Sequence, residues 1–320
     1  MMAELTIFST PKPFTDPFIA TIQRNAIRSW TLLKPQVDVI LLGDEPGLAQ
    51  VTEEYGVRHI SEVECNEWGT PLVRSLFEQV EETSQTSLLS LVNADIILMD
   101  DFVGAALTAH KQVQNFLMVG RRWGLNVDSP LDFSPGWEGR LQGEIDRHGM
   151  LHPKFSIDYF VFPRGQYAQM PDFVIGRPQW DNWMIYHTRR NNWPVVDATA
   201  SVLAIHQNHD YRHLPGNKPP HGLEEGRRNR QFAGGWRTKY TILDANRSLV
   251  EGRLEKPSLS IERILRPIET WLMKRHWRGI EWRICRRLRK LRRAWGESLP
   301  EGWVAGGWVE EQDAHEEEQS

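Results

Sequence analysis

The chain has 320 residues, 40% of them hydrophobic and 25% charged, with a formal net charge of −4 that is unevenly spread. This is an ordinary globular composition with enough length for a sizeable core. Its two cysteines, Cys65 and Cys285, lack CxxC spacing and so exclude a zinc knuckle or disulfide framework, and no apolar run approaches the ~18 residues of a membrane span.

From the N-terminus, MMAELTIFSTPKPF has no basic region followed by an apolar run, so no signal peptide is expected, and scattered thiols suit a reducing cytosol. Leu5 to Phe8 reads as a strand closed by the loop Ser9-Thr10-Pro11-Lys12-Pro13. Phe18 to Leu33 has helical spacing, with Ile19, Ile22, Ala26, Ile27 and Trp30 on one side. Val37 to Leu42 is a second strand, ending at Gly43-Asp44-Glu45-Pro46-Gly47. A helix over Leu48 to Tyr55 stops at Gly56, and Val57 to Ile60 is a third strand. Thr70-Pro71 starts the next helix, with proline in the first turn, and the helix runs to about Glu82. Leu88 to Leu98 is a buried strand interrupted by Asn93-Ala94-Asp95. Strand and helix in alternation predict an α/β fold, a mainly parallel sheet with helices on both faces. Its ligands then sit at the carboxyl ends of the strands, with Ser9-Thr10-Pro11, Gly43-Asp44 and Asn93-Ala94-Asp95 along one edge.

Phe116 to Gly120 is a further strand. The Gly/Pro/Asp-rich stretch from Trp123 to about Pro153 reads as a long loop. Ser156 to Phe162 is a strand, Pro178 to Arg190 a helix, and Val195 to Thr199 and Val202 to His206 short strands. From Tyr211 to about Leu254 the sequence looks irregular. From Ile261 to Trp295 there are twelve Lys/Arg against three Glu, and Trp277, Ile280, Ile284, Leu288, Leu291 and Trp295 recur at spacings of three and four. This is a basic amphipathic helix, either packed on the α/β domain with its arginines in solvent or lying on an anionic membrane surface; its interleaved Trp, Ile and Leu fit an interface better than nucleic acid. The last twenty residues hold seven acids and no Lys or Arg, which predicts a disordered acidic tail.

Fourteen tryptophans stand out, many of them in WGLN, GWEG and QWDNW or between Trp271 and Trp308. They are either core filler or aromatic faces for stacking on sugars. Polar Asn93-Ala94-Asp95 inside a buried run is costly unless its side chains act there. A carboxylate at a strand end can hold a divalent ion against a diphosphate. Downstream lie Gly176-Arg177-Pro178-Gln179-Trp180-Asp181-Asn182-Trp183 and Ile205-His206-Gln207-Asn208-His209-Asp210-Tyr211. An Asp at a helix start is an N-cap or a base, and two histidines with Gln, Asn and Asp in six residues form a polar cluster after a core strand.

This order of motifs resembles the GT-A glycosyltransferases over roughly residues 3–212. The resemblance implies a GT-A, Rossmann-like nucleotide-sugar transferase domain over 1–212. After it come an irregular extension over 213–255, a basic helical segment over 256–297 and an acidic tail over 298–320. Asn93-Ala94-Asp95 matches the DxD position, with Asn93 departing from the first Asp. Asp181 matches the acidic acceptor-site position and is the implied catalytic base. Asp95, Asn93 and His206 or His209 are the implied ligands for Mn²⁺ or Mg²⁺, with His206 preferred as closer to the strand end. Ser9, Thr10, Pro11, Asp44, Arg74, Asn93, Ala94, Asp95 and Arg122 are expected at the nucleotide sugar, with Arg121 also placed to meet phosphate. Asp158, Arg177, Trp180 and Asn182 are expected at the acceptor. The implied partners are a nucleotide-sugar donor, most simply a UDP-sugar, and a glycan or lipid-linked acceptor, in a cytoplasmic protein attached to the inner membrane face through 261–295. Two rival readings stay open. One is a sugar-1-phosphate nucleotidyltransferase, although the Ser9 to Pro13 loop lacks the glycines that admit a triphosphate. The other is a non-catalytic membrane-surface or nucleic-acid-binding protein on the same scaffold.

Overall fold

The computed structural model describes residues 3–209 and 223–273, together with residues 283, 284, 287 and 288. Strand β1 (Leu5–Ser9) leads into helix α1 (Pro17–Thr31), which is capped by the Asp16 carboxylate accepting from the Ile19 N–H, with Pro17 in its first turn. Then come β2 (Asp38–Leu42), α2 (Leu48–Tyr55), stopped by Gly56 at φ 63°, and β3 (Arg58–Ile60). Helix α3 covers Val73–Thr83. The expected start at Thr70-Pro71 is two residues early, because Pro71 and Leu72 are extended and form isolated bridges to Cys65 and Val174.

The apolar run Leu88 to Leu98 is two strands, not one. Strand β4 (Leu88–Val92) stays in the main sheet and β5 (Ile96–Ile97) leaves it for a second sheet. Asn93-Ala94-Asp95 is the crossing point. After β5 come α4 (Asp100–Gln112), a helix the sequence reading does not identify, and β6 (Leu117–Val119). The long loop expected over Trp123 to Pro153 is instead largely regular: β7 (Arg122–Leu125), α5 (Trp137–His148) and β8 (Met150–Leu151). Helix α5 contains Gly139 and Gly143 and buries only Leu141 and Ile145, so neither propensity nor periodicity announces it.

Strand β9 (Tyr159–Pro163), helix α6 (Trp180–Arg190) and strands β10 (Val195–Asp197) and β11 (Ala204–Gln207) follow. The stretch expected to be irregular up to Leu254 holds α7 (Glu224–Ala233), two 3₁₀ turns, β12 (Arg247–Val250) and β13 (Arg253–Glu255). Helix α7 is held by buried polar contacts rather than an apolar stripe. The Asn229 amide accepts from the Val174 N–H and donates to the Val174 carbonyl. Helix α8 (Ile261–Met273) begins the predicted basic helix. Trp277, Ile280, Leu291 and Trp295 of the expected row, the acidic tail, and Asp210 and Tyr211 lie outside the described residues.

The main sheet has the order β13-β12-β10-β6-β9-β4-β1-β2-β3, with β9 and β13 running against the other seven strands. Helices cover both faces. Trp30, Val51, Phe102 and Val103 pack on one side, and Leu76, Phe77, Trp183 and Met184 on the other. A smaller sheet, β5-β11-β7-β8, packs with α5. After β3 the chain returns to the other side of β1 to form β4, so the crevice at the carboxyl ends of β1 and β4 is a topological switch point. Among the described residues no helix is long and apolar enough to cross a membrane.

Candidate functional site

At that switch point lies a cavity of about 500 Å³, lined from β1 and its loop by Ser9, Thr10, Pro11 and Lys12, and from the β4–β5 crossing by Asn93, Ala94 and Asp95. Arg122, Asp158, Arg177, His206 and His209 also line it. The Ser9 hydroxyl donates to the Val92 carbonyl at 2.6 Å and ties the two strand ends together. The Gln23 amide grips the next loop from both sides, accepting from the Lys12 N–H at 2.6 Å and donating to the Lys12 carbonyl at 2.9 Å. The loop is thus fixed by a buried polar side chain on the inner face of α1.

The chemical centre is Asp95 with His206 and His209, whose ligand atoms all lie within 4.8 Å of one another. The His209 Nε2 is 2.9 Å and the His206 Nε2 3.7 Å from Asp95 Oδ2. Burial opposes the Asp95 charge, yet the two imidazoles and the Lys12 ammonium hold its carboxyl below the ordinary carboxylate range. Burial, then the Arg122 guanidinium, push His206 well down, against the opposing pull of the Asp95 carboxylate. The Asn208 amide oxygen, 3.4 Å from His206 Nδ1, can only accept, which places the proton on Nδ1 and leaves Nε2 facing Asp95. The Asp95 backbone is pinned as well: its carbonyl accepts from both the N–H and the side-chain amide of Gln207.

These residues fit a divalent metal on two grounds. Asp95 Oδ1 is buried with no hydrogen-bond partner, which is expensive unless a cation takes its lone pairs. One carboxylate oxygen with two imidazole nitrogens is also a common donor set for a divalent transition ion. Both histidines join the cluster, where the sequence reading asked for one or the other. Asn93 turns its amide nitrogen to Asp158 Oδ1 at 2.6 Å.

Asp158 is fully engaged, between Asn93 and a salt bridge with Arg122. Arg177 lines the cavity while held by Glu225, with Nη2 to Oε2 at 2.6 Å. Arg121 turns away to the carbonyls of His152 and Leu151. Several expected contacts lie elsewhere. Asp44 is exposed and its neighbour Glu45 lines the cavity instead. Arg74 is outside, saturated by Glu64, Glu78 and Asp172. Trp180 packs on Phe160 with ring centroids 5.0 Å apart, and the Asn182 amide donates to the Tyr240 carbonyl. These two side chains hold α6 in the core. Among the described residues no tryptophan lines the cavity, so the aromatic-face reading finds no support there.

Asp181 is not among the lining residues. Burial, against the N–H groups of Asn182 and Gln179 and the Lys239 ammonium, raises its carboxyl to about 6. Gln179, which donates its N–H to Asp181 Oδ1 at 3.1 Å, has φ 91°, a left-handed conformation uncommon for a residue with a side chain. The sequence reading missed Lys12, Gln23, Glu45 and His152. His152, pushed down to about 4 by burial and by Arg122 and Arg121, stacks obliquely 5.7 Å from His206. Polar Gln23, Asn25 and Ser29 on the buried side of α1 were the available signal.

No protein-family model and no curated protein matches the chain. Among solved structures it is similar to S. aureus TarS 1-349 in complex with UDP-GlcNAc, at 14% identity and TM-score 0.31, over 38% of this chain and 35% of that one. A putative nucleotide-diphospho-sugar transferase from Desulfovibrio desulfuricans aligns at 11% identity and TM-score 0.41, over 73% and 98%. Glucosyl-3-phosphoglycerate synthase from Mycobacterium tuberculosis, in complex with Mn²⁺, UDP and phosphoglyceric acid, aligns at 14% and 0.41, over 65% and 72%. This chain thus spans about a third of TarS 1-349 and most of the other two. The chain's own strand order, paired helix layers and carboxyl-edge cavity define a Rossmann-like α/β fold.

Proposed function

We propose that the protein is a metal-assisted glycosyltransferase that moves a sugar from a nucleoside diphospho-sugar, in the first instance a UDP-sugar, to a hydroxyl of a glycan or lipid-linked acceptor. The observation that carries this reading is the cluster Asp95–His206–His209, with its orphaned Asp95 Oδ1, in the wall of the switch-point cavity. With two imidazoles among its donors the site suits Mn²⁺ better than Mg²⁺, which prefers an all-oxygen shell. Asp95, His206 and His209 would hold a divalent ion there, which would neutralise charge on the departing diphosphate.

In the transfer, the acceptor oxygen bonds to the anomeric carbon as the bond from that carbon to the phosphate oxygen breaks. The electron pair leaves with the nucleoside diphosphate. Ser9, Thr10 and Pro11 receive the nucleoside, and the Lys12 ammonium, locked through its backbone by Gln23, faces phosphate charge. Arg122 and Asp158 shape the wall opposite. In an inverting reaction Asp181 is the base only for an acceptor that reaches past the cavity lining to it, and a carboxyl raised to about 6 is ionised at neutral pH and basic enough to take the proton there.

The test is nucleoside-diphosphate release from a panel of nucleotide sugars, with Mn²⁺ and then with chelator, in wild type and Asp95→Ala. Release that needs the metal and falls by about 10²-fold or more in the variant is the expected result. Release indifferent to chelator, or no binding of any nucleotide sugar, overturns the reading.

A further inference from the structure

Asp95 is aimed from behind. On its carboxylate side it meets the two imidazoles and the Lys12 charge, and Oδ1 has no hydrogen-bond partner. Its carbonyl instead meets a buried row of amides from β11 and α1. Gln207 Nε2 donates to the Ile22 carbonyl at 2.7 Å and to the Asp95 carbonyl at 3.2 Å, and Gln207 Oε1 accepts from Asn25 Nδ2 at 3.0 Å. Asn25 Nδ2 also donates to the Ser129 carbonyl at 3.1 Å, while Asn25 Oδ1 accepts from the Leu131 N–H at 2.9 Å. The polarity of the row is set at both ends. A backbone N–H can only donate, so Asn25 turns its oxygen to Leu131 and its NH₂ to Gln207. Carbonyls can only accept, so Gln207 turns its NH₂ to Ile22 and Asp95. Both side chains are buried, Asn25 at 3% and Gln207 at 0% exposed.

Two buried amides are a costly way to fill the space between a helix and a sheet, which an apolar pair fills without any hydrogen bond to satisfy. A satisfied polar network instead fixes one geometry. What this one fixes is the peptide of Asp95. The same helix holds the residues that follow. Trp30 Nε1 donates to the Ile96 carbonyl at 2.9 Å, and Ser29 Oγ accepts from the Leu98 N–H at 3.2 Å. The Asn25–Gln207 row adds the tie at Asp95 itself. Gln207 also follows His206 on β11, so the amide that holds the carboxylate residue stands on the strand that carries the imidazole. We infer that Asn25 and Gln207 are positioning residues for the candidate metal centre: through the Asp95 carbonyl they keep its carboxylate where one divalent ion is shared with His206 and His209. Neither residue lines the cavity, so both act through Asp95 and not on the substrate. Without the row the ion must itself order the Asp95 peptide, and that cost weakens its binding. The inference rests on the metal reading of the Asp95–His206–His209 cluster.

The experiment is titration of the full chain with Mn²⁺ alone, without nucleotide, reading free ion from its electron paramagnetic resonance signal. It compares wild type, Gln207→Met, Asn25→Ser and a control, Thr86→Val, with the melting temperature of each recorded without metal. Gln207→Met keeps the side chain's length and removes its donors. Thr86 is a buried hydroxyl bonded to Thr6 Oγ1 at 2.8 Å, near the amino ends of β1 and β4 and so away from the cavity. The expected result is a dissociation constant raised at least about tenfold in Gln207→Met and raised also in Asn25→Ser. Thr86→Val melts lower but binds Mn²⁺ as wild type does. Wild-type affinity in Gln207→Met overturns the inference, and if that variant does not fold, wild-type affinity in Asn25→Ser does so. An equal loss of affinity in Thr86→Val also overturns it, since the effect is then general destabilisation. A wild type that binds no Mn²⁺ removes the metal reading itself, and the inference with it.

Discussion

Asp181 is the residue at which burial and reactivity pull in opposite directions. Its carboxyl ionises at about 6 in the folded protein, above its value in an unfolded chain, because burial disfavours the charge. A group raised in this way contributes stability that is complete below its unfolded pKa and is lost as pH rises through the folded one. Asp181→Asn therefore stabilises the protein at pH 7.5 by about 1–2 kcal/mol, and the gain fades as pH falls toward 4, measured by urea denaturation at both pH values. If Asp181 is the base, the same variant lowers turnover by ~10²–10⁴-fold, and wild-type turnover falls on the acid side of pH 6. A more stable variant with unchanged turnover removes Asp181 from catalysis. At this scale the sequence was partly legible. Asp95, His206 and His209 could be picked out because polar groups beside core strands need a reason to be there. Arg74, Trp180 and Asn182 could not be sorted, because a side chain's direction is set by packing partners distant in sequence, such as Asp172, Phe160 and Tyr240.

Strands β1, β2 and β4 were readable because a parallel strand buried on both faces is a continuous apolar run. The direction of β9 was not, since nothing in Tyr159–Pro163 encodes which way it enters the sheet. Helices α5 and α7 escaped because their burial rests on a few residues and on polar contacts. Two elements carry sharp predictions. A Cβ at Gly120, at the end of β6, would lie 1.9 Å from Tyr159 Oη, on a ring fully buried against Phe102. Gly120→Ala then costs about 2–3 kcal/mol, read as a lower urea midpoint. Adding Tyr159→Phe recovers part of that loss, and Tyr159→Phe alone is close to neutral because its hydroxyl has no partner. On α8, Arg266→Ala leaves Asp244 and Glu269 buried without their cation and destabilises by about 3–5 kcal/mol. Arg266→Met combined with Asp244→Asn and Glu269→Gln removes the stranded charge and should recover much of this; a triple variant as unstable as Arg266→Ala contradicts the account.

Across the whole molecule, the two sheets meet where the ligands meet. Asp95 ends the crossing from the main sheet, and His206 stands on β11 of the small one. An ion bound there clamps the two sheets and stabilises the folded chain by mass action, by about 2.7 kcal/mol at a hundredfold excess over Kd. Wild type therefore melts at a higher temperature with Mn²⁺, chelator reverses the shift, and Asp95→Ala shows none. A shift that persists in Asp95→Ala places the ion elsewhere.

The β5–β11 ladder that joins the halves of this centre has only two rungs, Ile97 with Ile205 and Ile96 with His206, yet it spans a long stretch of chain, with Asp95 and His209 separated by 114 positions. At a translation speed of ~5–20 residues per second, His209 leaves the ribosome roughly ten seconds after Asp95. During that interval the nascent chain holds a lone carboxylate with no imidazole beside it. Assembly of the candidate metal site is therefore tied to the completion of β11, and a chain interrupted before His206 lacks two of its three side chains.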